Sequence, residues 1–314
     1  MVERFSYRGW NNAYKLSNGS VELVVTADVG PRILFYGFCN RENQLYEVQA
    51  DAGKTGGTQF RLYGGHRLWV SPEVERTYYH DNAAVTVSIQ GNASRFTARR
   101  EESFPGTNLQ KELAIELART TSHVQITHRI TNHNMLSTTI APWSPTMMRP
   151  GGRAILPLGP RIAMDKDHYL PVGAFGIWSF TDFAHPRWVL GTGYIQLRHL
   201  PHPRGRFKEQ MGGIYNSAGW GAYFSKGDLF VKRAAVIPGA RYPDFGCNFE
   251  VFTNPDFLEL ETLGPLVDLH PGEMVEHVEH WWLYAGVPSG ENDEWIDAAV
   301  LPLAMRTADQ ANEL

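Results

Sequence analysis

The chain has 314 residues, a net charge of −4 and 43% hydrophobic residues. This length allows one large domain or two ordinary ones, with a core that needs no disulfide or metal for stability. The small negative charge provides no basic surface for nucleic acid and no attraction to an acidic membrane, so we expect neither partner. Two cysteines, Cys39 and Cys247, indicate reduced, buried thiols rather than a disulfide framework.

The N-terminal residues 1–10 are polar and aromatic. They lack the basic stretch and the apolar run of a signal peptide. No apolar stretch in the sequence reaches the length of a membrane span. We therefore expect a cytoplasmic protein, and the sequence leaves its oligomeric state open.

Strand patterns separated by turns dominate the chain. Residues 21–27 form a short apolar run, and residues 84–90 and 109–117 alternate apolar and polar side chains. An alternation with period two is typical of sheets that have one covered face. The predicted fold class is therefore all-β, a sandwich or a barrel.

Helical pattern is scarce before residues 292–300, which carry acidic residues in a first turn. Pro302 interrupts or restarts this helix. No linker and no shift in composition divides the chain, so we expect residues 1–314 to form a single domain with a short C-terminal helical segment.

Two glycine-led segments, residues 64–73 and 212–224, combine aromatic rings with hydrogen-bonding side chains. Sugar rings stack their C–H faces on aromatic rings, while their hydroxyls need hydrogen-bond partners. The segments either bind a carbohydrate or form turns that carry core aromatics, and composition leaves both interpretations open. The candidate binding residues are His66, Arg67, Trp69 and Glu73 in the first segment and Trp220 in the second.

Residues 257–263 read as a strand that places Glu259 and Glu261 on the same face. Two residues of strand rise separate them by about 7 Å. Such a pair is either a solvated surface or an acid–base site. Apolar neighbours favour the second alternative, because partial desolvation raises the pKa of a carboxyl group into a useful range.

The run Phe257-Leu258-Glu259-Leu260-Glu261-Thr262 is followed by a proline, by Leu269-His270-Pro271-Gly272-Glu273 and by an aromatic strand over residues 277–284. This order resembles the C-terminal signature of the aldose 1-epimerase, or galactose mutarotase, superfamily. The resemblance implies a galactose mutarotase-like β supersandwich along the chain. It also implies that Glu261 is the catalytic base.

The same resemblance suggests further site residues. Gly30-Pro31-Arg32-Ile33 resembles an early strand and turn of the superfamily, which makes Arg32 a binding candidate beside Arg67 and His66. The central His-x-Tyr-Phe pattern that supplies the acid in relatives is missing. By position Trp143 or Ser144 stands in its place, unless the register makes His133 the match. We take His66 as the first candidate for the proton donor and His133 as the second.

The leading hypothesis is an isomerase of the aldose 1-epimerase type, and the expected partner is a small-molecule sugar or an oligosaccharide. The alternatives are a non-catalytic carbohydrate-binding domain, which the missing pattern favours, and a carbohydrate hydrolase or lyase that uses the same groove. We expect no cofactor and no metal. His277 and His280 lie three residues apart on a strand and therefore point to opposite faces, so they cannot share an ion.

Overall fold

A computed structural model of the chain describes residues 2–78, 80–90, 95–104, 107–203 and 208–311. Its described residues form two large sheets in which all neighbouring strands are antiparallel. Antiparallel sheets suit the alternating sequence pattern, because one face of each can pack on the core. The predicted all-β class is confirmed.

The first sheet contains twelve strands within the described residues. Its main order is β1-β2-β3-β4-β5-β11-β20-β19-β16-β13, and β6 and β21 also pair with β11. The strands are β1 (Val2–Tyr7), β2 (Trp10–Ser17), β3 (Val21–Thr26), β4 (Arg32–Phe38), β5 (His66–Arg67), β6 (Trp69–Ser71), β11 (Thr138–Met148), β13 (Phe175–Ile177), β16 (Gln210–Ile214), β19 (Phe249–Thr253), β20 (Leu258–Leu263) and β21 (Val267–Leu269).

The second sheet contains ten strands in the same described ranges, in the order β14-β15-β12-β17-β18-β22-β10-β9-β8-β7. The strands are β7 (Thr86–Gln90), β8 (Arg95–Phe104), β9 (Thr107–Leu117), β10 (Val124–Asn132), β12 (Arg153–Pro157), β14 (Trp188–Leu190), β15 (Tyr194–Arg198), β17 (Trp220–Ser225), β18 (Asp228–Ala234) and β22 (Met274–Ala285).

The main hydrophobic core lies between the two sheets. Tyr36 of the first sheet packs on Phe230 and Trp281 of the second, with ring centroids 6.0 Å and 5.7 Å away. Leu258 and Leu260 of β20 also enter this core. Because successive side chains of a strand alternate between faces, the glutamates of β20 project from the opposite side of the first sheet.

The C-terminal helical segment has three parts. Helix α1 (Asp293–Trp295) begins after Asn292, whose side chain accepts a hydrogen bond from the backbone at the end of α1. A π-helical turn (Ile296–Val300) follows, and α2 (Leu301–Gln310) continues the segment. Pro302 falls in the first turn of α2, where its missing N–H has no helical partner to lose. The helix therefore restarts at the proline.

None of the helices in the described ranges has the length and hydrophobicity that spanning a bilayer requires. Two short 3₁₀ turns also occur: Gln49–Asp51 lies between β4 and β5 of the first sheet, and Glu75–Thr77 lies between β6 of the first sheet and β7 of the second. Both cysteines are free thiols, with Cys247 buried and Cys39 partly buried.

A pair of glycines tests how closely β4 and β5 approach each other. Gly65 and Gly239 share a φ of +75°, but a Cβ added at Gly65 would lie 2.0 Å from the carbonyl oxygen of Ile33, whereas nothing lies within 4 Å at Gly239. We expect Gly239→Ala to cost about 1–2 kcal/mol, the penalty of the left-handed conformation alone. Gly65→Ala should cost about 1–3 kcal/mol more, because backbone must shift.

Chemical denaturation of both variants gives the two free energies of unfolding. Equal losses at Gly65 and Gly239 would contradict the close approach of the strands.

Candidate active site

A cleft with a volume of about 360 Å³ opens above β20 on the side of the first sheet that faces away from the core. Glu259 and Glu261 both line it, so the two carboxyl groups lie on the same face of the strand, as predicted. We call this opening the carboxyl cleft. Its aromatic walls include Phe60, Tyr78, Trp143, Trp178, Phe180 and Phe252.

Glu261 lies at the bottom of the carboxyl cleft with 1% of its surface exposed. The indole N–H of Trp143 donates a 2.6 Å hydrogen bond to its Oε2 atom. Burial, and then the neighbouring charge of Glu259, raise the pKa of Glu261 well above its usual range, and the bond from Trp143 opposes this shift. Glu261 therefore holds a proton more readily than an exposed glutamate does.

Glu259 is 8% exposed, and its Oε1 atom has no hydrogen-bond partner among the described residues. Burial raises the pKa of Glu259, and the positive charge of Arg67 lowers it again. A buried acceptor without a partner is costly, and a ligand that donates to it removes that cost. Glu259 is thus available to a bound molecule.

Arg67 supplies the complementary donors. Its guanidinium carbon lies 4.5 Å from the ring centroid of Trp69 and 5.8 Å from that of Phe60, so aromatic stacking holds it in place. Its Nε and Nη1 atoms are buried and find no partner in the described part of the chain. A planar guanidinium that is stacked rather than ion-paired keeps its N–H groups for hydroxyl or carboxyl oxygens.

Glu73 stands at the exposed edge of the carboxyl cleft, where the Tyr78 hydroxyl donates a hydrogen bond to it. Five residues that the sequence analysis selected therefore meet at this opening: Arg67, Glu73, Trp143, Glu259 and Glu261. Trp69 is also close, but it packs behind Arg67, with Trp143 and Leu263, rather than lining the cleft.

The remaining candidates lie elsewhere. His66 is fully buried between Thr146 Oγ1, 2.8 Å from its Nδ1, and His128 Nε2, 2.7 Å from its Nε2, on the core side. Arg32 is fully buried as well, pairing with Asp81 at 2.7 Å. The structure therefore gives His66 and Arg32 internal partners and does not bring them to the carboxyl cleft.

Trp220 belongs to β17 and packs in a second core beneath the C-terminal helix. His133 is exposed beyond β10, with its Nε2 atom 3.2 Å from Gln110. Neither residue lines the carboxyl cleft. Their sequence surroundings were aromatic or polar, but that composition does not distinguish a core or a surface from a binding site.

The sequence analysis missed Glu250, which lies opposite Glu261 in the β19–β20 register. Glu250 is 1% exposed and hydrogen bonds to the Asp244 carboxyl. Burial and the charge of Glu261 raise the pKa of Glu250 well above its usual range. The sequence shows that Glu250 alternates with apolar residues in β19, but it does not show that Glu250 pairs with Glu261.

Among the described residues, one buried set brings possible metal-ligand atoms within 4.8 Å of one another: His66, His128 and Glu279. His128 Nδ1 donates to a backbone carbonyl, so its Nε2 accepts the N–H of His66. Lys232 contacts Glu279 at 2.9 Å and supplies the positive charge there. The possible ligand atoms of this set are thus already engaged in hydrogen bonds and in the ion pair with Lys232. The expectation of no metal stays a prediction.

Solved structures provide the comparison with known proteins. A candidate aldose 1-epimerase from Klebsiella pneumoniae matches 97% of this chain and 86% of its own, with a TM-score of 0.61 and 11% identity. A candidate aldose 1-epimerase from Escherichia coli K12 matches 87% of this chain and 99% of its own, at 0.56 and 15%. A galactose mutarotase-like protein from Lactobacillus casei matches 87% and 100%, at 0.57 and 10%.

No protein-family model and no curated protein sequence matches the chain. The likeness to the solved structures nevertheless extends along nearly the whole length of both partners at 10–15% identity. We conclude that this chain has the galactose mutarotase-like fold.

Proposed function

We propose that this protein interconverts the anomers of a sugar by general acid–base catalysis in the carboxyl cleft. One observation carries the proposal: two buried carboxyl groups, Glu259 and Glu261, face a single aromatic-walled opening. The volume of about 360 Å³ lies at the lower end of the range for ligand pockets. This size favours a monosaccharide over a longer chain.

The polar groups of the carboxyl cleft suit hydroxyls. Arg67 offers buried N–H donors and Glu259 offers a buried acceptor, and the described residues use neither. A sugar hydroxyl can accept a hydrogen bond from Arg67 and donate one to Glu259. The aromatic walls provide the apolar surface on which the C–H face of a pyranose stacks.

The two carboxyl groups cannot both ionise easily, because they are buried side by side. The Arg67 charge lowers the pKa of Glu259, whereas the Glu259 charge raises the pKa of Glu261. The pair titrates as a unit, and this asymmetry favours one shared proton that resides on Glu261. One group is then ready to donate a proton and the other to accept one.

Ring opening follows from this arrangement. Glu261 donates its proton to the ring oxygen while Glu259 accepts the proton of the anomeric hydroxyl, and the C1–O5 bond breaks to give the open-chain aldehyde. Trp143 stabilises the carboxylate that Glu261 becomes, through its N–H. Rotation about C1–C2 and closure with the reverse proton transfers give the other anomer.

This assignment differs from the sequence-based hypothesis, in which Glu261 was the base and His66 the acid. His66 has neighbours on the core side, and burial lowers its pKa well below the usual range, so it is neutral. The donor in our proposal is Glu261 and the base is Glu259.

The first test removes the donor. We expect Glu261→Gln to lose a factor of about 10²–10⁴ in anomer interconversion, the usual contribution of one positioned proton-transfer group. Freshly dissolved pure anomers of neutral, amino and acidic aldoses are followed by polarimetry, and sugar binding is followed by calorimetry. The control is Glu294→Gln, at an exposed position on the C-terminal helix.

Unchanged rates in the Glu261→Gln variant would overturn the proposal. Sugar binding by the unaltered protein without any acceleration would support the non-catalytic alternative instead. Cleavage products from oligosaccharides would support the hydrolase alternative.

The second test changes the hydrogen bond to Glu261. Trp143→Phe keeps an aromatic wall but removes the N–H that opposes the raised pKa of Glu261. We expect the rate of interconversion to fall and its pH profile to move to higher pH, with little change in sugar binding. The control is Trp178→Phe, which removes an indole N–H from the same cleft at a position that does not bond to Glu261. Equal pH profiles for both variants would contradict the role of Trp143.

The third test uses stability. A carboxyl group whose pKa is higher in the folded chain than in the unfolded chain stabilises the fold least when it is ionised, so stability falls as the pH rises above the unfolded value of about 4.3. Glu261→Gln removes this loss. We expect the variant to gain stability relative to the wild type as the pH rises above about 4.3, measured by chemical denaturation. A difference that does not vary with pH would show that Glu261 has an ordinary pKa.

A further inference from the structure

Lys232 crosses the main core from β18 of the second sheet to the first sheet and is fully buried. Its ammonium group donates to the carbonyl oxygens of Ser144 and Leu260, both at 3.1 Å, and to Glu279 Oε1 at 2.9 Å. An ammonium group has three hydrogens, and these three contacts use them all. Lys232 is therefore a charged and fully satisfied group in the protein interior.

The two carbonyls bound by Lys232 belong to the strands that carry the carboxyl cleft. Ser144 follows Trp143 in β11, and Leu260 separates Glu259 from Glu261 in β20. Lys232 approaches these strands from the core side, whereas the side chains of Glu259 and Glu261 project to the other side. One buried cation thus stands directly behind the pair.

The composition of strand β11 makes its contact with Lys232 more important. It lies between β20 and the short strands β5 and β6, yet it contains Pro142 and Pro145. Proline has no N–H to donate, and it is unusual in an inner strand for that reason. Lys232 brings donors from the opposite sheet to the stretch where β11 has fewer of its own.

The counter-charge of Lys232 is Glu279 of β22, which is also fully buried. Glu279 accepts hydrogen bonds from the Thr262 hydroxyl and, at 2.8 Å, from Trp281 Nε1. Three histidines surround this ion pair: His66, His128 and His277. Burial keeps all three neutral, with the pKa of His128 and of His277 lowered to about 3. Lys232 and Glu279 are therefore the charged members of this group.

We propose that Lys232 is a positioning residue for the carboxyl cleft: it ties β11 to β20 behind Glu259 and Glu261, and its charge, balanced by Glu279, is part of the electrostatic surroundings of the pair. The rate consequence of this inference rests on the proposed function. The effect on the protonation of the pair does not.

Coulomb interactions act between Lys232 and the carboxyl pair across one strand. Burial raises the pKa of Glu259, and the Lys232 charge is one of those that oppose this shift. Burial lowers the pKa of Lys232, and the charge of Glu279, followed by those of Glu261 and Glu259, opposes that shift. Arg67, Glu73 and Arg32 also act on Glu259, from the cleft and from the first sheet. Glu250 of β19 faces Glu261 in the strand register. Neutralising Lys232 or Glu279 leaves those other groups in place, so each change isolates one charge.

The test measures the titration of Glu259 and Glu261 directly, in protein labelled with ¹³C at the glutamate carboxyl carbon. Glu259→Gln and Glu261→Gln assign the two signals. We expect Lys232→Met to move the titration midpoint of the pair to higher pH, because a nearby positive charge is lost. We expect Glu279→Gln to move it to lower pH, because the Lys232 charge then acts without its counter-charge.

The opposite directions separate this role from structural damage. A loosened site admits water and moves both midpoints toward lower pH, the usual range of a carboxyl group. A downward shift in both variants, or no shift in either, would therefore overturn the inference. If Lys232→Met does not fold, Lys232→Arg replaces it: this variant keeps the charge, so its midpoint should stay in place while that of Glu279→Gln falls. A downward shift in Lys232→Arg as well, or no shift in Glu279→Gln, would then overturn the inference.

Rates of anomer interconversion complete the experiment. If the proposed function is right, the pH profile of each variant moves with its titration midpoint. If the midpoints shift as expected while the unaltered protein shows no interconversion, the proposed function fails and the role of Lys232 in protonation stands. If the wild type is active and the midpoints do not shift, the inference fails and the proposed function stands.

Discussion

The burial of two carboxyl groups two residues apart on one strand is the constraint on which the other features of the site depend. Glu259 and Glu261 lose most of their hydration in the carboxyl cleft, which makes a second negative charge there expensive. Trp143 and Arg67 compensate from the cleft side with an N–H bond and a positive charge. These two groups oppose the rise in the pKa of the pair that burial causes.

The core side of β20 carries a second set of polar groups. A buried ion pair such as Lys232–Glu279 is weak evidence for stability, since apolar residues of similar volume often replace one without loss. Its complete hydrogen bonding, and its place behind Glu259 and Glu261, connect it instead with the site. The strand β20 thus lies between two polar layers, one open to ligands and one sealed in the core.

The fold does not decide the chemistry. Proteins of one fold carry unrelated functions, and the three solved structures named above are only 10–15% identical in sequence to this chain. The proposed sugar chemistry is therefore supported by the cleft itself rather than by the fold. Its unpartnered donors on Arg67, its acceptor on Glu259 and its aromatic walls are properties of this chain.

The sequence by itself determined the all-β class, the C-terminal helical segment and the shared face of Glu259 and Glu261, because these follow from local periodicity and from proline chemistry. Only the tertiary structure decided which side of the first sheet each side chain faces. His66 belongs to a strand of two residues, too short for any alternation to show that it turns toward the core. Glu250 joins Glu261 only through the register of β19 with β20, and Trp178 reaches the cleft from a distant segment. Such pairings join residues far apart in the chain, and no local pattern encodes them.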